Sequence, residues 1–133
     1  FQVNYTYNKT NQAAITLADG TEIGTSPLVG SAKNQANVTV FYSTDRLMLR
    51  ASYNRRGLVV NGLMNGLNVY EAPYSQVDLN ASYNFTPQLS LTASVLNATE
   101  EESRSYLGND TKSRFYSNNY AGRVAYMGLN YKF

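Results

Sequence analysis

The acid–base chemistry open to this sequence rests on nine carboxylates, because the chain contains neither histidine nor cysteine. Ser–His and Cys–His pairs, His-ligated zinc, thiolate metal sites and disulfides are thereby excluded. Glu100, Glu101 and Glu102 stand consecutively and could gather a cation, but such a run also reads as the solvated base of a loop. Asp19-Gly20 and Gly108-Asn109-Asp110 have turn composition without the spacing of a calcium loop. Asp78 is a candidate acid, and its more ordinary role is a structural ion pair with an arginine on its own face. We therefore assign no catalytic residue, metal site or cofactor, and read the chain as non-enzymatic.

The other chemistry-bearing side chains are aromatic. Tyr70, Tyr74, Tyr106, Phe115 and Tyr116 fall in or near long connecting stretches, where their faces could stack on a sugar or cover a siderophore, or else pack the connections themselves. The net charge is +2 and the cations are scattered, so no basic stripe of the kind that tracks phosphates is present. Nucleic acid is not an expected partner. The Asn-x-Thr triplets Asn37-Val38-Thr39 and Asn97-Ala98-Thr99 match a glycosylation acceptor, but composition explains them better.

The elements that must position these residues are strands. No apolar run approaches the ~20 residues of a membrane-spanning helix, and no stretch has the i, i+3, i+4 spacing of an amphipathic helix. Six segments instead alternate with period two. They run from Phe1 to about Asn8, through Ala36 to Tyr42, Leu47 to Tyr53, Gln76 to Phe85 and Leu89 to Val95, and from about Arg123 to Phe133. Ser43 to Arg46 and Thr86 to Gln88 are tight turns, with Pro87 suited to a turn by its fixed φ. The hairpin registers that keep the apolar sets together place Tyr42 opposite Leu47 and Val40 opposite Leu49, and Phe85 opposite Leu89 and Tyr83 opposite Leu91. The remaining connections, Lys9 to Ser31, Gly57 to Pro73 and Ala98 to Asn118, are expected to be long loops, all at the end opposite the tight turns.

Short turns at one end and long loops at the other are the plan of an outer-membrane barrel. One face carries Leu, Val and Ala in mid-strand with Tyr42, Tyr83, Phe85, Tyr131 and Phe133 as an aromatic girdle. The other face carries Arg50, Asn54, Gln76, Asp78 and Asn80, which suit a water-lined lumen, where a charge avoids the roughly 2–4 kcal/mol it costs at mid-bilayer. The expected fold is all-β, an antiparallel up-and-down transmembrane β-barrel. A soluble sandwich, with its apolar face on a second sheet, is the competing architecture.

The terminal run Met127-Gly128-Leu129-Asn130-Tyr131-Lys132-Phe133 resembles the C-terminal assembly signal of outer-membrane proteins. That resemblance implies recognition of Phe133, Tyr131, Leu129 and Met127 by the barrel-assembly machinery. Val77-Asp78-Leu79-Asn80-Ala81-Ser82-Tyr83 with the Thr86-Pro87 turn, Leu89-Ser90-Leu91, Asn97-Ala98-Thr99, Tyr106-Leu107-Gly108 and Tyr120-Ala121-Gly122-Arg123 resemble the end of TonB-dependent receptors over nearly the whole chain. The likeness is greatest to the large receptors of Xanthomonas and Caulobacter type, although Asn97-Ala98-Thr99-Glu100-Glu101 departs from their Asn-Leu-Thr-Asp-Glu.

The resemblance implies that residues 1–133 are about six C-terminal strands of a 22-stranded barrel, with a plug domain and the other strands upstream. It further implies a bacterial outer-membrane location, contact with lipopolysaccharide, and uptake of a scarce small-molecule ligand, such as a carbohydrate or ferric siderophore. The missing plug would link uptake to TonB-ExbB-ExbD. A passive porin-like or structural barrel is one alternative function, and a soluble β-sheet binding module is another.

Overall fold

The computed structural model describes residues 2–7, 15–16, 22–23, 29–32, 34–108 and 114–133. They hold twelve strands and no helix. In chain order the strands are β1 (Gln2–Tyr7), β2 (Ile15–Thr16), β3 (Glu22–Ile23), β4 (Asn34–Ser43), β5 (Leu47–Arg56), β6 (Val59–Met64), β7 (Leu67–Glu71), β8 (Tyr74–Asn84), β9 (Leu89–Leu96), β10 (Ser103–Gly108), β11 (Arg114–Asn119) and β12 (Val124–Tyr131).

Six of them form one antiparallel sheet in the order β1-β4-β5-β8-β9-β12. These are the six alternating segments, paired as an up-and-down meander. Phe1 lies outside the described residues, and the last strand is shorter than the alternation suggested. The sheet is not closed, with β1 and β12 at its edges.

The registers keep one face apolar across the whole sheet. Tyr42 faces Leu49, Leu49 faces Ala81, Ala81 faces Ala93 and Ala93 faces Met127. Tyr83 faces Leu91 as the alternation requires, and the backbone of Phe85 donates to the Leu89 carbonyl at 2.9 Å.

The β4–β5 register differs from expectation by two residues, with Tyr42 opposite Leu49 rather than Leu47 and Val40 opposite Ala51 rather than Leu49. The turn chemistry explains the offset. Thr44 N–H donates to the Leu47 carbonyl at 2.8 Å, and its Oγ1 accepts the Leu47 N–H at 3.0 Å, so Leu47 belongs to the turn closure. A two-residue offset preserves the face of every side chain. Thr86 closes the other turn in the same way, its Oγ1 accepting from the Gln88 and Leu89 N–H groups.

The stretches expected to be long loops are partly strands. Residues 57–73 contain β6 and β7, and residues 98–118 contain β10 and β11. These four pair in the order β11-β10-β7-β6. Each prolongs a wall strand, β6 following β5, β7 leading into β8, β10 following β9 and β11 leading into β12.

The register Arg56↔Tyr74 continues unchanged to Val59↔Glu71, so Gly57 and Leu58 stand opposite Pro73 and Ala72. Pro73 has no N–H to give the ladder, and the Gly57 and Ala72 N–H groups turn to the carbonyls of Asn34 and Arg104 instead. The hairpin tip is Asn65-Gly66, both with left-handed φ (50° and 75°), as a two-residue turn matching the twist of its strands requires. Of residues 9–31, the short β2–β3 ladder and Val29 to Ser31 are described; the rest lies outside the described residues.

Burial is inverted relative to a water-soluble protein. Among the described residues the buried apolar side chains are Ala32, Val59, Val60 and Tyr70, all at or above the level where the wall strands break. The six-stranded sheet buries Thr39 and Ser52, each 7% exposed, on its polar face, whereas Leu49, Leu79, Met127 and Leu129 are exposed on its apolar face. The second sheet extends the first end to end and leaves that face uncovered. A soluble sandwich would cover it; a bilayer does the same for a barrel wall.

Candidate functional site

The polar face is assembled in rows by the registers. Asn37, Asn54 and Gln76 are successive partners, as are Thr39, Ser52 and Asp78, then Phe41, Arg50, Asn80, Ser94 and Tyr126. All five residues expected on the lumen side, Arg50, Asn54, Gln76, Asp78 and Asn80, share this face. Asn37 Nδ2 donates to Asn54 Oδ1, and the Thr39 and Ser52 hydroxyls are 3.1 Å apart. Side-chain hydrogen bonds between neighbouring strands join these small polar groups, each contributing about 1 kcal/mol.

Among the described residues Asp78 has no ion-pair partner, where an arginine of its own face was expected. Its Oδ1 accepts from Gln76 Nε2 at 2.6 Å and from the Asn97 N–H at 3.0 Å, while Arg50 stands opposite Asn80, one row away. Among the described residues the ion pairs are Arg56–Glu71, Arg104–Glu102 and Arg123–Glu100, all at or beyond the break in the strands.

That level is braced by two groups with no distinctive sequence signal. The Glu71 carboxylate accepts from Arg56 Nη2, from Asn61 Nδ2 at 3.0 Å and from Ser103 Oγ at 2.7 Å. Burial pushes its pKa up, but the hydrogen bonds from Asn61, Ser103 and Arg56, with the charge of Arg56, outweigh that and hold it below the ordinary carboxylate value.

Asn97 is 5% exposed with φ 51°. Its Nδ2 donates to the carbonyls of Glu101 and Gly122, each at 3.1 Å, and its Oδ1 accepts the Glu101 N–H at 3.0 Å. It thus ties the β9–β10 connection to the β11–β12 connection. A buried Asn fully used by backbone partners is a structural anchor, and its triplet is no glycan acceptor in this fold.

Of the outer aromatic residues, the fold brings three into one row. Tyr70 is the partner of Tyr106, and Tyr106 of Phe115, the last two meeting edge to face at 6.2 Å. Tyr70 is buried and Phe115 exposed. Tyr74 lies apart at the top of β8, donating to Gln76 Oε1 at 3.0 Å, and Tyr116 follows Phe115 on β11. Glu102 accepts from Asn118 and from Arg104, which lower its pKa in that order; it braces β10 to β11. At the opposite end, Tyr131 and Phe133 meet edge to face at 5.3 Å, and Tyr83 and Phe85 at 5.0 Å, all on the apolar side. Met127 and Leu129 precede Tyr131 on the same side.

The model of the TonB dependent receptor-like β-barrel matches residues 1–98. The chain belongs to this family. Membership accounts for an antiparallel meander with one apolar and one polar face. Proteins of this family are receptors of the outer membrane in general. No curated protein and no solved structure matches the chain.

Proposed function

We propose that this chain is the C-terminal part of an outer-membrane receptor that takes up a scarce small-molecule ligand with energy delivered through TonB. The observation that carries the reading is the inverted six-stranded wall, with a continuous bare apolar face on one side and hydrogen-bonded polar rows on the other, in a chain of the receptor family. In this reading residues 1–133 close a 22-stranded barrel with strands and a plug domain encoded upstream. The plug engages TonB-ExbB-ExbD, and the barrel-assembly machinery reads Met127, Leu129, Tyr131 and Phe133. The β6-β7-β10-β11 sheet stands outside the membrane against lipopolysaccharide. Tyr106 and Phe115 are its aromatic surface for a carbohydrate or siderophore-like ligand, with Tyr70 as their support and Tyr74 and Tyr116 at the margins.

Two measurements test this. An antibody to residues 57–73 should detect, in outer-membrane fractions, a polypeptide several times the 14.8 kDa of this sequence. Growth on the ligand at limiting concentration should require both that gene and TonB. A mature species near 14.8 kDa, or uptake unchanged without TonB, would overturn the proposal in favour of a passive barrel.

A further inference from the structure

The apolar face of the wall carries a charge. Arg55 shares its side of β5 with Leu49, Ala51 and Tyr53, and among the described residues of the six wall strands it is the one charged side chain on that face. It is exposed and has no ion-pair partner among the described residues. Arg46, Arg50 and Arg114 also lack one, but Arg46 stands in a tight turn, Arg50 on the polar side and Arg114 on the outer sheet.

The depth of Arg55 explains how a charge is tolerated there. Leu47, at the tight-turn end of β5, is the partner of Tyr83 of the inner girdle. At about 3.3 Å per residue and a tilt of about 40°, Arg55 stands roughly 20 Å above that level, near the far edge of an apolar band about 25 Å tall. A cation on a lipid-facing side is costly at mid-bilayer and tolerated at this height, where the guanidinium can reach the interface while its stem lies on apolar surface.

Its surroundings suit a lipid headgroup. The row runs Tyr5, Ala36, Arg55, Ser75, so Arg55 has a small side chain on either side and a tyrosine one strand further. Tyr5 and, one row outward, Tyr7 are exposed. Asn34, the partner of Tyr7, fills the space that a side chain on Gly57 would take, leaving an amide beside the guanidinium.

The same face is indented toward mid-membrane. A hollow of about 410 Å³ opens around Ala51, Ala81 and Ala93, between the larger side chains of Val40, Leu49 and Leu79. Ala51 precedes Arg55 by four residues on β5, about 13 Å along the strand, a separation bridged by the polar junction of a lipid and the first carbons of its chain. A smooth wall would contact lipid without selecting among headgroups. An unpaired guanidinium above an apolar hollow selects an acyl chain that carries an anion, and a phosphate offers the fork of Arg its bidentate partner.

We infer that Arg55 and the Ala51–Ala81–Ala93 hollow together hold one acylated, phosphate-bearing lipid of the outer leaflet. Arg55 pairs with the phosphate, Tyr5 and Tyr7 flank the headgroup, and one acyl chain lies over Tyr53 into the hollow. This rests on reading the tight turns as the periplasmic end of a membrane-spanning wall.

The test uses the full-length receptor, delipidated in detergent and titrated with dioleoyl phosphatidic acid under native mass spectrometry. One saturable adduct should form. Dioleoylglycerol, which lacks the phosphate, should bind at least several-fold more weakly, and inorganic phosphate, which lacks the chain, should not displace the adduct. Arg55→Gln should weaken binding about tenfold, Ala81→Leu should weaken it several-fold by filling the hollow, and Arg46→Gln should leave it unchanged.

Heat-modifiable migration on gels checks that each variant has assembled. Equal binding of dioleoylglycerol and phosphatidic acid, or an assembled Arg55→Gln or Ala81→Leu receptor that binds as the native one does, would overturn the inference. If uptake still requires TonB in that case, the proposed function stands and the lipid site alone falls; uptake independent of TonB fails the functional reading whatever the lipid result.

Discussion

Arg56, the last residue of β5, donates through Nη2 to Oε1 of Glu71, the last residue of β7, across the level at which the wall strands break. Asn61 and Ser103 bind the same carboxylate from β6 and β10. One carboxylate therefore joins the wall to three strands of the outer sheet.

The pH dependence follows from the depressed pKa of Glu71. Its ionised form is favoured in the folded chain, so the stabilisation is complete above the ordinary value of 4.5 and is lost as pH falls through the lower folded value. Glu71→Gln should loosen the outer sheet at neutral pH by about 1 kcal/mol, a modest figure because the Arg56 side chain is 37% exposed. Hydrogen exchange of residues 59–71 should show faster opening in the variant, with the difference closing in acid. A difference that stays constant as Glu71 is protonated would contradict the assignment.

Asn97 separates a conformational cost from a bonding cost. Asn97→Gly keeps the left-handed backbone but loses the side-chain bonds to Glu101 and Gly122, and should cost about 2–3 kcal/mol. Asn97→Ala loses the same bonds and, unlike the glycine variant, keeps a β-carbon at φ 51°, which leaves it about 1 kcal/mol less stable than Asn97→Gly. Denaturant midpoints of the full-length receptor refolded in lipid vesicles should therefore rank native above Gly above Ala. Equal midpoints for all three would remove Asn97 from its anchoring role.

Disulfide trapping distinguishes the two registers of the β4–β5 hairpin. Tyr42→Cys with Leu49→Cys places the cysteines on directly opposed residues, within the roughly 7 Å limit between α-carbons that a disulfide tolerates. Tyr42→Cys with Leu47→Cys separates them by two residues along the strand. Oxidation should trap the first pair and spare the second; the reverse would restore the register read from the apolar pattern alone.

The sequence made the six wall strands legible because each has a strict two-residue period, and Tyr83 opposite Leu91 followed from it. It did not distinguish Leu47 from Leu49 as the partner of Tyr42, because both choices preserve the apolar face and only the Thr44 hydroxyl decides. The outer strands escaped for a different reason. Val59-Val60-Asn61-Gly62 does not alternate, and its register shifts between Val60 and Gly62. Asn65-Gly66 is the local signal that could have located that hairpin.

The polar face was legible residue by residue, but its braces were not. Asn97 bonds a carbonyl twenty-five positions away, and Glu71 gains its partners only when β6, β7 and β10 pair.

The proposed function requires β8 to stand in a bilayer with one side to lipid and the other to a lumen. Single nitroxide labels at successive positions from Val77 to Tyr83, in the full-length receptor reconstituted in membranes, test it directly. Collision with lipid-soluble oxygen should rise at 77, 79, 81 and 83 and fall at 78, 80 and 82, with period two. An equal response at all seven positions, or the opposite phase, would contradict it.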